Sequence, residues 1–443
     1  MRGSFVSLIM KQIHKLWPNK ANREIGNCGN ELMWQLDNGS APLHQAASSG
    51  TAQTIQALLD AGADPNSPQH NGATPLHTAA QFGTPESIKM LLAGGADFMA
   101  RDKSSDATPL HYAVRFGTSE NVEVLLDADP DALQRLHNDT GETLLQLAAQ
   151  SGKQENIKAL LAAGVDINEN TSGDLTPLHF AIQTGNLETV QCLIDSGADL
   201  NVEHRVGISD ERNDGFKSLF HAAQFGTAEI IQILLNAGAG VNDIRHNGST
   251  PLLHASQFGT TETIQALLDA GADLNPEGAS SVTPLHAAAL SKMSENVKLL
   301  LAVGVDITAQ TQAGNTPLHV AACGNSNPEN MKVLIAAGAD LTARNNNGET
   351  PSHKAAGYSY DTEKIEILIA AGADLTARCM DGRTPLHSAV ALGAPENIFE
   401  LLEAGADKRA KDNNGKTPWD LVPENIFKDG TEAYAALKNA LYH

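Results

Sequence analysis

The chain has 443 residues, a formal charge of −22 at pH 7, 41% apolar residues and only 4% aromatics. That apolar content excludes disorder by composition, and the core must be built from Leu, Ile, Val and Ala. The acidic balance argues against a nucleic-acid binder, which needs a basic surface. Four cysteines (Cys28, Cys192, Cys323, Cys379) lie far apart without a CxxC pair, excluding a disulfide framework and fitting a reducing compartment. No apolar run approaches the roughly 20 residues needed to span a bilayer.

Residues 1–23 hold five basic residues (Arg2, Lys11, Lys15, Lys20, Arg23) and no acid, leaving a net −27 on the other 420. Phe5 to Met10 faintly suggests a signal peptide. The stretch is too short, however, and Lys11 interrupts it without a small-residue cleavage site. Residues 1–36 read as a basic, disordered tail, with a membrane-surface or targeting role as the alternative.

From residue 37 onward the chain repeats itself. Thr74-Pro75-Leu76-His77 recurs at Thr108–His111, Thr176–His179, Thr283–His286, Thr316–His319 and Thr384–His387. Weaker copies stand at Ala41–His44, Thr143–Gln146, Lys217–Phe220, Thr250–Leu253, Thr350–His353 and Thr417–Asp420. Twelve copies follow at steps of 33 to 35 residues, except one step of 41.

Each copy predicts its own elements. Thr74 before Pro75 is a helix start. Gly83 ends this short helix in a left-handed conformation. Thr84-Pro85-Glu86 starts a second helix, whose Ile88, Leu91 and Leu92 form one apolar stripe. Gly95 stops it, and Asn-Gly pairs such as Asn71-Gly72 and Asn347-Gly348 turn the chain into the next unit. One unit cannot bury its stripe alone, so neighbours must stack.

The TPLH-x-A pattern, the glycine, the Leu pair and Gly95-Ala96-Asp97 resemble the ankyrin repeat over residues 37–443. The resemblance implies an all-α helical solenoid of helix-turn-helix units joined by hairpin-like turns, with a C-terminal cap at 415–443. In the cap, Trp419 is expected to cover the end of the core. It also implies that the box histidines bridge turns between units. Spaced about 10 Å apart, they are too distant to share a metal with bonds of about 2.0 Å, so neither metal nor cofactor is expected. His221 and His254 are shifted by one position, which turns them toward solvent instead.

Departures mark three places. The 41-residue step adds about eight residues within 202–213; a functional loop and a tolerated insertion both fit. Repeat three lacks Gly-Ala-Asp, and repeat four has Leu144-Leu145-Gln146 for Pro-Leu-His, so irregular stacking is expected between them. Arg344, Arg378 and Lys411 place a basic row on the C-terminal turns, a solvated face or a guide for an acidic partner segment. The sequons at Asn38, Asn138, Asn170 and Asn247 read as turn chemistry.

No catalytic or nucleotide-binding motif occurs. The resemblance implies binding of another protein by the hairpin tips and the inner face of the first helices. Just before the first-helix glycine the sequence reads Gln81-Phe82, Arg115-Phe116, Gln224-Phe225 and Gln257-Phe258. Aromatics beside Gln or Arg are interface anchors, with local packing the competing role. Tyr112, Phe180 and Phe216 would extend this surface. The expectation is a monomeric, non-catalytic scaffold for an elongated partner protein, in the cytoplasm. The alternatives are a regulatory protein that covers a partner enzyme, or an effector delivered into a host cell.

Overall fold

A computed structural model describes residues 41–129, 141–170, 175–203, 217–245, 247–275, 281–359, 361–392, 395–422 and 439. The basic tail, residues 204–213 of the insertion, Phe216 and nearly all of the expected cap beyond residue 422 lie outside them. Among the described residues there are 22 α-helices, one 3-10 helix and no strand. No described helix is long and apolar enough to cross a membrane.

The chain divides into two compact units, residues 1–202 and 203–443. The first holds α1 (Pro42–Ser49), α2 (Ala52–Asp60), α3 (Pro75–Phe82), α4 (Pro85–Ala93) and α5 (Pro109–Phe116). It continues with α6 (Ser119–Ala128), α7 (Leu144–Ser151), α8 (Gln154–Ala162), α9 (Pro177–Thr184) and α10 (Leu187–Asp195). The second holds α11 (Ser218–Phe225), α12 (Ala228–Asn236), α13 (Pro251–Phe258), α14 (Thr261–Asp269), α15 (Pro284–Ala289) and α16 (Ser294–Ala302). Then come α17 (Pro317–Ala322), α18 (Pro328–Ala336), α19 (Pro351–Tyr358), α20 (Glu363–Ala370), α21 (Pro385–Leu392), α22 (Pro395–Glu403) and the 3-10 turn Pro418–Leu421. Within each unit the odd-numbered helices stack on one another, and the even-numbered helices form a second layer behind them. The 3-10 turn packs on α21, with Trp419 half-buried.

The core lies between the layers. Ile88 and Leu91 of α4 are fully buried, as are their counterparts Val122 and Leu125, Ile264 and Leu267, and Ile365 and Leu368. Leu92, expected in the stripe, is only half-buried. Ala79-Ala80, Ala222-Ala223 and Ala288-Ala289 are buried where first helices meet, because a small side chain lets backbones approach. Each buried Leu or Ile contributes about 1.5–3 kcal/mol.

Two polar devices tie repeats together. In the first, the box histidine spans the turn. His77 Nδ1 lies 3.0 Å from the Thr74 amide, and Nε2 lies 3.0 Å from the Ala107 carbonyl of the next repeat. A carbonyl only accepts, so Nε2 carries the proton and Nδ1 accepts. His44, His286, His319, His353 and His387 make the same bridge. Gln146 reproduces it, accepting from the Thr143 amide at 3.0 Å and donating to the Leu175 carbonyl at 2.6 Å. Losing Pro-Leu-His therefore does not unstack repeat four: α7 still packs on α5 and on α9.

The second device was not anticipated. Near the start of a second helix, an asparagine donates to carbonyls at the end of the preceding repeat's first helix. Asn330 Nδ2 reaches Ala288, Ala289 and Ser291 at 2.8–3.3 Å. Asn121, Asn156, Asn296 and Asn397 do likewise. In α20 the fully buried Lys364 takes this place, its Nζ donating to Cys323 O, Gly324 O and Ser326 Oγ at 2.8–3.0 Å. Burial pulls its pKa down to about 8.

Gly83 corrects an expectation. Its φ is −84°, extended rather than left-handed. Glycine is needed there because a Cβ would lie 2.4 Å from the Ala47 carbonyl oxygen of the preceding repeat. Gly117 and Gly259 are confined in the same way. Gly95, at the second-helix end, is the left-handed one, with φ 89°.

Candidate functional site

In four repeats the first helix ends in an exposed phenylalanine. Leu76, Ala79 and Ala80 turn α3 into the core, which carries Phe82 outward at the last helical position. Phe82 is 64% exposed, Phe116 46%, Phe225 44% and Phe258 50%. Phe220, a core ring, is 1% exposed. The slot therefore lies outside the stacking core in all four repeats.

In the first unit, Tyr112 and Arg115 surround Phe116. The Tyr112 ring meets Phe116 edge-on at 6.0 Å and His77 at 5.0 Å, and the Arg115 guanidinium lies 5.4 Å over the Phe116 ring. Tyr112 is half-buried and donates to Asp102 Oδ2 at 3.0 Å. Burial, followed by that carboxylate, raises its pKa to about 12. It is a support for Phe116 rather than a free contact. Lys153 adds a second cation, donating to the Phe116 and Gly117 carbonyls at 2.5 Å. Phe180 occupies in α9 the place of Tyr112 in α5, one residue after the box histidine, and is half-buried. Gln81 is half-buried beside Phe82.

The second unit supports its aromatics differently. His221 and His254 do not face solvent as their shifted register suggested. They are buried, 4% and 8% exposed, beneath Phe225 and Phe258 at 4.8 Å between ring centroids. His254 Nε2 lies 2.9 Å from Gln224 Oε1, which joins repeats six and seven at this end of the helices. Burial, with the Arg245 charge second, lowers the His254 pKa to about 4. Phe220 and Leu253 occupy the vacated box position, and Arg245 lies 5.8 Å over the Phe220 ring. Gln257 is half-buried beside Phe258.

The basic row on the C-terminal turns has a structural task. Arg344 Nη1 donates to the Gly348 and Arg378 carbonyls at 2.8 and 2.5 Å. Arg378 repeats this toward Gly382 and Lys411 at 3.0 and 2.5 Å. These guanidiniums lace successive tips together while leaving their charge at the edge.

Six box histidines, His44, His77, His286, His319, His353 and His387, spend both ring nitrogens on backbone bridges. Among the described residues no group of three His, Cys, Asp or Glu is placed to hold a metal ion.

A family model for ankyrin repeats matches residues 18–102, 43–135, 110–204, 219–311, 277–345 and 318–412, together well over half of the chain. A search of curated proteins found no match. With helix pairs, box histidines and turn glycines in register across both units, the chain belongs to the ankyrin-repeat family.

Proposed function

We propose that this chain is a non-catalytic scaffold that binds another protein through the exposed ends of its first helices. Ankyrin repeats generally mediate protein–protein interaction. The observation that carries the assignment is the four-fold recurrence of an exposed Phe at one slot, where the fold has no need of a ring. Phe82 and Phe116, with Tyr112 and Arg115, form one patch in the first unit. Phe225 and Phe258, with Gln224 and Gln257, form another in the second. Two separate patches suit an elongated partner. A cytoplasmic setting suits Cys192, Cys323 and Cys379, which are free thiols.

The test replaces Phe82, Phe116, Phe225 and Phe258 with Ala and follows both stoichiometric capture of a partner and melting. Loss of a desolvated aromatic anchor costs about 2 kcal/mol or more in binding. Capture at undiminished affinity by a destabilised variant would show that the rings serve the core.

A further inference from the structure

We infer that the aromatic face of the second unit takes a basic, amphipathic segment of the partner; the inference rests on the partner-binding assignment above and names the chemistry of the ligand. Phe225, Phe258 and Leu290 stand exposed at the ends of α11, α13 and α15, which stack side by side. Four or five residues beyond each, Glu229, Glu262 and Glu295 stand exposed at the second position of α12, α14 and α16. An apolar row is thus flanked by a carboxylate row with one member per repeat.

These carboxylates are firmly ionised. Bonds from the Thr227 hydroxyl and its own amide hold Glu229 below the ordinary carboxylate range. Its own amide, then Thr260 and Thr261, do the same for Glu262. The positive end of each second helix adds to the effect. Among the described residues no cation pairs with the first two. From Ser218 to Ser291 the sequence holds six acids and one base, Arg245, which is buried against Phe220. Lys298 pairs with Glu295 at 3.4 Å, and Lys292 at the margin is engaged with the Asn325 carbonyl. The first unit's patch differs, because Arg115 and Lys153 stand at Phe116 itself. Charge complementarity therefore selects the second unit for a ligand with Lys or Arg along one side and large apolar side chains along the other.

The experiment uses the full chain and three probes: a Leu/Lys peptide patterned as an amphipathic helix, its Leu/Glu counterpart, and a Lys-only peptide of equal charge. The Leu/Lys peptide should bind best and weaken with added salt. Its affinity should fall about tenfold or more in Glu229→Lys/Glu262→Lys and in Phe225→Ala/Phe258→Ala, but hold in Phe82→Ala/Phe116→Ala. Equal binding of the Leu/Glu or Lys-only peptide, or indifference to the Glu→Lys pair, would overturn the inference. So would salt-sensitive self-association of the chain abolished by the Glu→Lys pair, since the occupant would then be the basic segment 1–23 of a second copy. Partner capture lost in the quadruple Phe variant yet untouched by Glu229→Lys/Glu262→Lys would sink this inference alone and leave the scaffold assignment standing.

Discussion

Repeats eight to ten and repeats six and seven solve the same joining problem at opposite ends of the first helix. In the former, His286, His319 and His353 bridge the turns, and the far end is closed by Asn330, Lys364 and Asn397, each from the following repeat. In the latter, Phe220 and Leu253 fill the turn end with hydrocarbon, and the histidines lie beneath Phe225 and Phe258. Lys217, in the N-cap place, pairs across the turn with Asp243 at 2.8 Å. A displacement of one residue rotates a side chain by about 100° on a helix. That is enough to move an imidazole from the turn bridge to the floor of a surface patch. Polar joining is thus transferable along the repeat, and moving it changes what lies under the exposed face.

The largest expected effect that sharpens this contrast is acid sensitivity. Burial lowers the pKa of His44, His77, His286, His319, His353 and His387. A depressed histidine pKa means that the unfolded chain binds more protons below its own value near 6.5. The bridges therefore contribute fully above pH 6.5 and lose their contribution as pH falls toward the folded values. The urea midpoint at pH 5 should lie well below that at pH 7.5. Identical midpoints would contradict the neutral-bridge geometry.

Next in size are single positions in the bridged repeats. His319→Ala leaves the Thr316 amide and the Glu349 carbonyl without their partner and should cost about 2 kcal/mol at pH 7.5. His319→Gln should cost less than about 1 kcal/mol and shed its share of the acid loss, because Gln146 already makes this bridge. Chemical denaturation of both variants at two pH values decides the matter. Gly117→Ala should cost about 1–3 kcal/mol by overpacking, since its Cβ would lie 2.3 Å from the Ala80 carbonyl oxygen. A neutral result would show that neighbouring repeats slide apart freely. The smallest effect is expected where the ring is outermost. Phe82→Ala should shift stability by less than about 0.5 kcal/mol in calorimetry, and a larger loss would place that ring in the core.

The repeat period, the helix starts at Thr-Pro and the turns at Asn-Gly were legible because each rests on local backbone chemistry. The exposed Phe slot was legible too, because Leu, Ile and Ala account for the buried positions without it. What escaped were contacts whose partners lie about one repeat away. The Glu-Asn pairs at 120–121, 155–156, 295–296, 329–330 and 396–397 were a visible signal. The carbonyls they serve carry no sequence signature, as any residue supplies one. The half-burial of Tyr112 and Phe180 escaped for the same reason: a neighbouring helix, not the residue type, sets their exposure. Gly83 is required for clearance from Ala47, and no torsional rule on its own segment reveals that.

The asparagine contacts have a direction. Asn330, in one repeat, completes carbonyls left open at the end of α15, in the repeat before it. His286 likewise finds its acceptor, Asn315, only in the repeat that follows. A repeat therefore remains chemically unfinished until its successor exists. On a ribosome the chain is made in that same order, so native closure trails the point of synthesis by about one repeat, and a chain halted at any internal repeat ends in open carbonyls. Protease pulses on arrested chains should find the last completed repeat cleavable and the one before it protected.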